Sequence, residues 1–298
     1  MKIFKIILFV IIVLSINLFS QSLTTRYSLY GNMIVTHLHS ASFPDTGRAA
    51  GYTYDSTFYS AKDHYMDSTV AVFIPKGFKS GSSINLVVHF HGWFNNVDST
   101  FAQYNLVKQF AESGKNALLV VPGGAMNVPD SYGGKLEETN GFKKFINELM
   151  DTLYARKAIS NEKVGKIILS GHSGGYEVMA YILMRGGLTN HIKEVYIYDA
   201  LYADKEKFIH WFDNYNGKLI DIYTQHGGTK RETERLIADL KGWDIPFISF
   251  ADENNVTPFD LANNRLIFIF TDLPHNYVIY KRNEFDKYLK ASCLSNIK

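Results

Sequence analysis

One serine of this sequence lies in a setting that would make it a nucleophile. Ser173 is the centre of Gly171-His172-Ser173-Gly174-Gly175, which follows the apolar run 167–169 and precedes a helical pattern that ends at 186–187. The run predicts a buried strand, and the flanking glycines let strand and helix approach closely around the serine. The helix N-terminus behind the turn would direct N–H groups at a developing anion. The alternative is a glycine-rich turn whose serine only caps a helix.

A serine hydroxyl needs a neighbouring base, and the base needs a third group that fixes its tautomer. His275 follows the apolar run 266–270, so we expect it to be the base. Asp199 follows the strand pattern 195–198 and is the expected acid, with capping of the next helix as its alternative role. Ser173, Asp199 and His275 occur in the order expected for a nucleophile on a strand–turn–helix motif.

Other residues are alternatives for the acid and the base. Asp252 and Glu253 follow a short apolar segment and precede His275 by about 20 residues, so either is a second choice for the acid. His226 follows the strand pattern 219–224 and is the rival base. It precedes the final predicted strand, which favours a structural or substrate-facing role for it.

The histidines also raise the question of a metal site. His89 and His91 lie two residues apart and would face one side of a strand, and His226 would be a third ligand in a metalloenzyme. No acidic ligand accompanies the pair. The sequence therefore predicts neither a metal nor any other cofactor.

Apolar runs with the character of strands alternate with helical patterns along most of the chain. Strands are predicted at 33–39, 70–75, 85–90, 117–121, 167–169, 195–198, 219–224, 247–250 and 266–270, and helices at 101–113, 141–154, 178–185, 230–241 and 284–291. This alternation predicts the α/β class, with a mostly parallel central sheet and helices on both faces. Polar residues that directly follow these strands would gather at one edge of the sheet, where such folds bind ligands.

The motifs and their order resemble the α/β-hydrolase superfamily over roughly residues 69–291, without pointing to a characterised subfamily. The resemblance rests on the Gly-His-Ser-Gly-Gly elbow around Ser173 and on His91-Gly92-Trp93, which is similar to the family's His-Gly-x oxyanion loop. It implies that the backbone N–H groups of Gly174 and Trp93 stabilise an oxyanion. It also implies that His91 orients the loop.

The resemblance implies a serine hydrolase with a Ser-His-Asp triad, acting on a small-molecule or polymer-derived carboxylic ester. His91, Gly92, Tyr176 and His226 are then expected at the substrate site. The acid departs from the commonest family pattern, because Asp199 follows the first strand after the nucleophile and not the second. A serine peptidase or amidase would use the same groups. A non-catalytic binding protein on this fold would normally lack the serine or the histidine.

The first residues have the pattern of a targeting segment. Lys2 and Lys5 precede an apolar run at 6–19 and then small polar residues, which predicts a signal peptide at 1–22 and export to the periplasm or the medium. The run is shorter than a membrane-spanning helix requires. Removal of the segment lowers the formal net charge from +2 to 0. We therefore expect no nucleic-acid partner and no stable membrane anchor.

Length and cysteine content limit the organisation of the mature chain. The 298 residues, 46% of them hydrophobic, suit one α/β-hydrolase domain at 23–298, in which 23–68 form lead-in strands. Cys293 is the single cysteine, so no internal disulfide can form and the core must stabilise the fold. Nothing in the sequence specifies an oligomeric state.

Overall fold

The computed structural model describes residues 22–298, so the predicted signal peptide lies outside the described residues except for Ser22. Within them, the strands are β1 (Gly31–His37), β2 (Tyr52–Tyr54), β3 (Thr57–Tyr59), β4 (Thr69–Pro75), β5 (Ile84–Phe90), β6 (Leu118–Pro122), β7 (Val164–His172), β8 (Ile192–Tyr198), β9 (Lys218–Thr224), β10 (Ile248–Phe250) and β11 (Leu266–Thr271). Each strand predicted from an apolar run is present. β7 is much longer than its predicted core at 167–169.

The helices of the same region are α1 (Leu23–Arg26), α2 (Ala61–His64), α3 (Val97–Tyr104), α4 (Leu106–Ser113), α5 (Gly141–Ala155), α6 (Tyr176–Arg185), α7 (Lys205–Tyr215), α8 (Lys230–Gly242), α9 (Pro258–Asn263) and α10 (Glu284–Lys290). α5 follows from its sequence most directly, because the apolar residues that recur at helical spacing from Phe142 to Leu153 are buried. No helix within residues 22–298 has the length and apolar character needed to cross a membrane.

Nine of the described strands form one sheet, in the order β1-β4-β6-β5-β7-β8-β9-β11-β10. From β6 to β10 all neighbours pair in parallel, whereas β1 and β4 are antiparallel to each other and β4 is antiparallel to β6. β2 and β3 form a separate hairpin. The expectation of a mostly parallel central sheet is confirmed.

Alternate residues of the strands supply two core layers, one on each face of the sheet. On one face, Val88 and Leu169 contact the cluster that contains the buried residues of α5, α6, α7 and α8. On the other face, Val87 and Ile168 belong to the cluster with α3, α4 and α10. Both faces are therefore covered by helices, which fixes β7 and its neighbours and presents their carboxyl ends at one edge.

Besides the short helices α1, α2 and α9, which were not predicted, two longer helical segments differ from the sequence prediction. The helix predicted at 101–113 is divided into α3 and α4, because Asn105 adopts the left-handed conformation with φ 54°. Asparagine tolerates this conformation better than most residues. α7 was not predicted, although Phe208 and Phe212 lie one helical turn apart and both are buried. Its polar residues concealed this pattern.

A buried carboxylate on β9 has only part of its hydrogen-bonding capacity satisfied. Asp221 has no exposed surface; one carboxylate oxygen accepts a hydrogen bond of 2.7 Å from the Thr233 hydroxyl, and the other has no partner among the described residues. Burial raises the pKa of Asp221 to about 7. The hydrogen bond from Thr233 opposes this rise, and the charge of Asp199 adds to it. Its ionisation therefore opposes folding.

We expect Asp221→Asn to be more stable than wild type at pH 8, by on the order of 1–4 kcal/mol, and equally stable near pH 4. The folded wild type keeps a proton that the unfolded chain has released between about pH 4 and pH 7, so its stability falls as pH rises through this window. Urea unfolding at pH 4, 6 and 8 measures the difference. Asp213→Asn, at an exposed position on α7, is the control, and an identical pH dependence in wild type and Asp221→Asn would contradict the prediction.

Candidate active site

Ser173 lies in a strained turn at the carboxyl end of β7. β7 ends at His172, a short 3-10 turn spans Ser173–Gly175, and α6 follows. Ser173 has φ 52°, in the left-handed region that non-glycine residues seldom adopt. The chain can turn this sharply because Gly175 lies against the Phe90 carbonyl, where a Cβ atom would come within 2.7 Å of the oxygen. Backbone strain of this kind is concentrated at functional sites.

Asp199 and His275 meet beside this turn. Asp199 directly follows β8 and has no exposed surface, and His275 lies on the loop after β11. The Nδ1 of His275 donates a hydrogen bond of 2.7 Å to Oδ2 of Asp199. An imidazole that donates from Nδ1 keeps its Nε2 lone pair free to accept a proton when the ring is neutral. The residues predicted as acid and base are therefore within hydrogen-bond distance.

Two threonines complete the surroundings of the Asp199 carboxylate. Thr224, at the end of β9, donates its backbone N–H (3.2 Å) and its hydroxyl (2.7 Å), and the Thr229 hydroxyl donates to Oδ1. Burial alone would raise the pKa of Asp199, but the side-chain hydrogen bonds from His275 and the threonines outweigh burial and lower it. Neither threonine was predicted from the sequence. The only local sequence signal for their role is position: Thr224 ends a strand, and Thr229 directly precedes a helix.

The loop after β9 makes room for Asp199 instead of supplying a carboxylate of its own. A Cβ atom on Gly227 would come within 1.7 Å of Asp199 Oδ2. The Gly227 N–H also donates to the Thr224 hydroxyl (2.8 Å), which itself donates to Asp199. Only glycine fits this position. The position of the Asp199 carboxylate after β8 therefore requires a glycine at position 227 in the loop after β9.

The alternative acids have other partners, and the rival base is exposed. Asp252 is exposed and accepts from the Asn254 backbone N–H (2.9 Å), and Glu253 forms an ion pair with Arg282 (2.7 Å). His226 is exposed on the loop after β9. The helix-capping alternative for Asp199 is wrong, because α7 begins six residues later, at Lys205.

His91 joins two loops at the edge of the site. Its Nε2 accepts a hydrogen bond from the Gly124 N–H (3.1 Å), so its Nδ1 carries the proton and donates to the Gly92 carbonyl (2.9 Å). Burial lowers the pKa of His91 and so favours this neutral form, although the bond to Gly92 opposes the shift. Gly92 lies directly against Ser173, since a Cβ atom on Gly92 would be 2.6 Å from the Ser173 Cβ.

The histidines of the metal hypothesis are not gathered around a common point. His89 is fully buried and its Nδ1 forms a hydrogen bond of 2.9 Å with the Ser170 hydroxyl, while both nitrogens of His91 are engaged as described. In the chain from residue 22 onward, no group of three or more histidine, cysteine, aspartate or glutamate side chains has a metal-binding arrangement.

Exposed aromatic side chains border the turn at Ser173. Trp93 is 41% exposed and lies against Gly174, and its indole N–H donates to the Ser131 hydroxyl (2.9 Å). The Tyr54 ring meets the Trp93 ring edge-on, with 5.3 Å between the centroids. Tyr54 lies on β2, so the lead-in segment contributes to the rim of the site. The sequence analysis did not foresee this contribution.

Tyr202 is a further residue that the sequence analysis missed. Its hydroxyl donates to the Gly227 carbonyl (2.6 Å), and its ring lies 5.8 Å from that of Tyr176. Burial raises the pKa of Tyr202 to about 12, and the nearby Ser173 side chain opposes this rise. Tyr202 and Tyr176, two half-buried tyrosines, thus pack against each other, and Tyr202 contacts the loop after β9.

The phenylalanine next to Trp93 is held in an unusual conformation. Phe94 has φ 53° and is 62% exposed, and its backbone N–H donates to the Val128 carbonyl (3.1 Å). A bulky residue in the left-handed region costs on the order of 1–3 kcal/mol. The contacts between the loop at 91–96 and the loop at 123–134 oppose this cost and fix the turn next to Trp93.

Comparisons with known proteins identify the fold. No protein-family model and no curated protein sequence matches the chain. Among solved structures it is similar to the feruloyl esterase module of Clostridium thermocellum in complex with sinapinate, with 10% identity, a TM-score of 0.55 and 88% of each chain covered. It is also similar to fluorophosphonate-binding serine hydrolase F of Staphylococcus aureus, with 13% identity, a TM-score of 0.53 and coverage of 88% of this chain and 99% of that one.

A third similar structure is the S-formylglutathione hydrolase of Agrobacterium tumefaciens, with 11% identity, a TM-score of 0.51 and coverage of 93% of this chain and 98% of the other. All three structures belong to the α/β-hydrolase superfamily. The strand order, the turn at Ser173 and the positions of Asp199 and His275 at strand ends agree with that architecture. The chain has the α/β-hydrolase fold.

Proposed function

We propose that this protein is a serine hydrolase that cleaves carboxylic esters through an acyl-enzyme intermediate. Ser173 is the nucleophile, His275 is the general base and then the general acid, and Asp199 orients His275. The 2.7 Å hydrogen bond between His275 Nδ1 and the buried Asp199, next to the strained turn at Ser173, is the observation that carries the proposal. A helix-capping serine would need neither partner.

The proposed reaction assigns one task to each group. The Ser173 hydroxyl attacks the ester carbonyl carbon while His275 Nε2 takes its proton, and Asp199 stabilises the resulting imidazolium. The tetrahedral oxyanion accepts hydrogen bonds from the backbone N–H groups of Gly174 and Trp93. Collapse returns the proton from His275 to the leaving alcohol. Water, activated by the same histidine, then hydrolyses the acyl-enzyme.

The preference for an ester bond rests on different support. The similar structures include a feruloyl esterase and an S-formylglutathione hydrolase, and both activities belong to those proteins. The exposed rings of Trp93 and Tyr54 favour a substrate that presents a flat apolar surface outside the scissile bond. A small aryl ester and an ester group on a polymer both meet this requirement. An amide with the same acyl group is the second candidate substrate.

We expect the mature protein to react with a fluorophosphonate probe and to hydrolyse aryl esters. Ser173→Ala abolishes both reactions because it removes the nucleophile, and His275→Ala lowers the rate by about 1000-fold or more. Asp199→Asn leaves a similar side chain but favours the wrong tautomer of His275, so a loss of about 1000- to 10,000-fold is expected. Labelling rates and initial hydrolysis rates measure these effects.

Asp252→Asn is the matched control, since it changes an exposed carboxylate that was the second choice for the acid. Its labelling rate should equal that of wild type. A panel of ester and amide substrates with a common acyl group separates the two bond types. Absence of labelling in folded wild-type protein would refute the proposal and favour a binding function on this fold.

We expect Gly227→Ala to lose most of its hydrolytic activity. The added methyl group would overlap Asp199 Oδ2, so the carboxylate must shift away from His275. A loss of about 100-fold in kcat is expected, since displacement by about 1 Å can cost this much. Gly242→Ala, at the end of α8 where no atom lies within 4 Å of the added Cβ, is the control. Equal kcat values in the two variants would show that Gly227 does not constrain the acid.

We propose that the chain is exported and that its signal peptide is removed. The support is the positively charged start, the apolar run at 6–19 and the small residues after it. Secretion from a bacterial host followed by N-terminal sequencing should give a mature chain that begins after Ser20 or after Ser22. Replacement of Ile11 and Ile12 by aspartate should keep the protein in the cytoplasm. Export of that variant at the wild-type level would contradict the proposal.

A further inference from the structure

The residue before the nucleophile makes two hydrogen bonds, one buried and one partly buried, that the proposed reaction does not use. His172 is 2% exposed. Its Nε2 lies 3.0 Å from the backbone carbonyl oxygen of His275, and its Nδ1 lies 2.9 Å from the hydroxyl of Tyr104, a buried residue at the end of α3. The side chain of His172 thus connects α3 with the loop that carries His275.

The chemistry of the partners fixes the direction of both bonds. A carbonyl oxygen can only accept, so His172 Nε2 carries the proton and donates to His275. Nδ1 then has a lone pair and accepts from the Tyr104 hydroxyl. Burial, together with the charge of His275, lowers the pKa of His172 to about 3, so His172 stays neutral in this tautomer at ordinary pH. Tyr104 therefore selects the form of His172 that can hold His275.

We propose that His172 is a positioning residue, with Tyr104 setting its tautomer, and that it fixes the base relative to the nucleophile. This inference rests on the proposed roles of Ser173 and His275. His172 is bonded covalently to Ser173 and is hydrogen-bonded to the main chain of His275, so one residue links the two reacting groups. A shift of the His275 loop must break this partly buried bond.

The two imidazole rings are also in contact. Their centroids lie 4.5 Å apart, with an angle of 34° between the planes. His275 gains a proton during the proposed reaction, and a neutral ring is the form of His172 that can remain against the new imidazolium without repulsion. The same contact limits rotation of the His275 ring away from Asp199.

Tyr104 is itself fixed by the surrounding loop and helix. The amide of Asn95 approaches its hydroxyl at 3.4 Å, a long hydrogen bond, and Asn95 belongs to the loop at 91–96 next to Ser173. The Gln109 amide donates to the Tyr104 carbonyl (2.8 Å) across the break between α3 and α4. That break at Asn105 ends α3 at Tyr104 and leaves its carbonyl free to accept this bond.

Three variants test the inference by separating kcat from KM. His172→Phe keeps an aromatic ring and removes both bonds, and we expect kcat to fall by about 10- to 100-fold with KM nearly unchanged. Tyr104→Phe removes the hydroxyl that selects the tautomer of His172 and leaves the bond from His172 to His275 in place. We expect kcat to fall by about 5-fold. His172→Gln places an amide N–H near the position of Nε2 and should recover most of the rate lost in His172→Phe.

Tyr196→Phe is the matched control, because it also removes a buried hydroxyl, bonded to Glu194, but does not contact the His275 loop. It should lose stability without any change in kcat. Thermal unfolding of all four variants measures any loss of stability, so that it can be separated from a change in kcat. Unchanged kcat in His172→Phe and Tyr104→Phe, or no recovery in His172→Gln, would overturn the inference.

A spectroscopic measurement keeps this inference distinct from the proposed activity. Nitrogen-15 NMR of the histidine side chains should show His172 protonated on Nε2 in wild type, and Tyr104→Phe should weaken that preference. If wild type neither labels with fluorophosphonate nor cleaves esters while His172 shows this tautomer, the proposed function fails and the hydrogen-bonded link remains. A His172 protonated on Nδ1 would refute the link itself, whatever the activity.

Discussion

The buried carboxylate of Asp199 imposes the main constraint on this site. An ionised carboxylate without solvent is strongly unfavourable unless hydrogen bonds surround it. Here His275, Thr224 and Thr229 donate to it, which holds the pKa of Asp199 below its ordinary value and keeps the negative charge in place. The orientation of His275 is therefore determined by the need to satisfy a buried charge, and the ends of β8, β9 and β11 must converge at this point.

This requirement explains how the carboxylate that contacts His275 can come from the end of β8. β8 and β9 are neighbours, so residues that follow either strand can reach the same space. Asp199 reaches it from β8 through a left-handed turn with φ 45°, and Gly227 leaves that space empty on the side of β9. The feature that must be retained is a carboxylate within hydrogen-bond distance of His275 Nδ1. The strand that supplies it can change if the neighbouring loop changes with it.

Sequence patterns predicted the parts of the structure that depend on neighbouring residues. The strand–turn–helix around Ser173, the amphipathic α5 and the alternation of strands and helices could all be read from short segments. The residues Thr224, Thr229 and Tyr54 were missed, because their roles arise only when distant loops meet. The division at Asn105 was missed for another reason: a single left-handed residue interrupts a helical pattern that is otherwise continuous. Long-range contacts and single backbone conformations are therefore the information that local patterns lacked.

Backbone strain at the site is opposed by contacts from outside it. Ser173, Phe94 and Asp199 all have positive φ, and each such residue costs on the order of 1–3 kcal/mol. The compensation comes from the core that fixes the strand ends, from the hydrogen bonds between the loops at 91–96 and 123–134, and from the donors to Asp199. These contacts exist before any ligand binds. In the proposed reaction, the N–H groups and the histidine therefore need little rearrangement to meet a developing charge. If the proposed reaction is correct, the strain is the cost of preorganisation, and the loops at 91–96 and 123–134 that oppose it contribute to function.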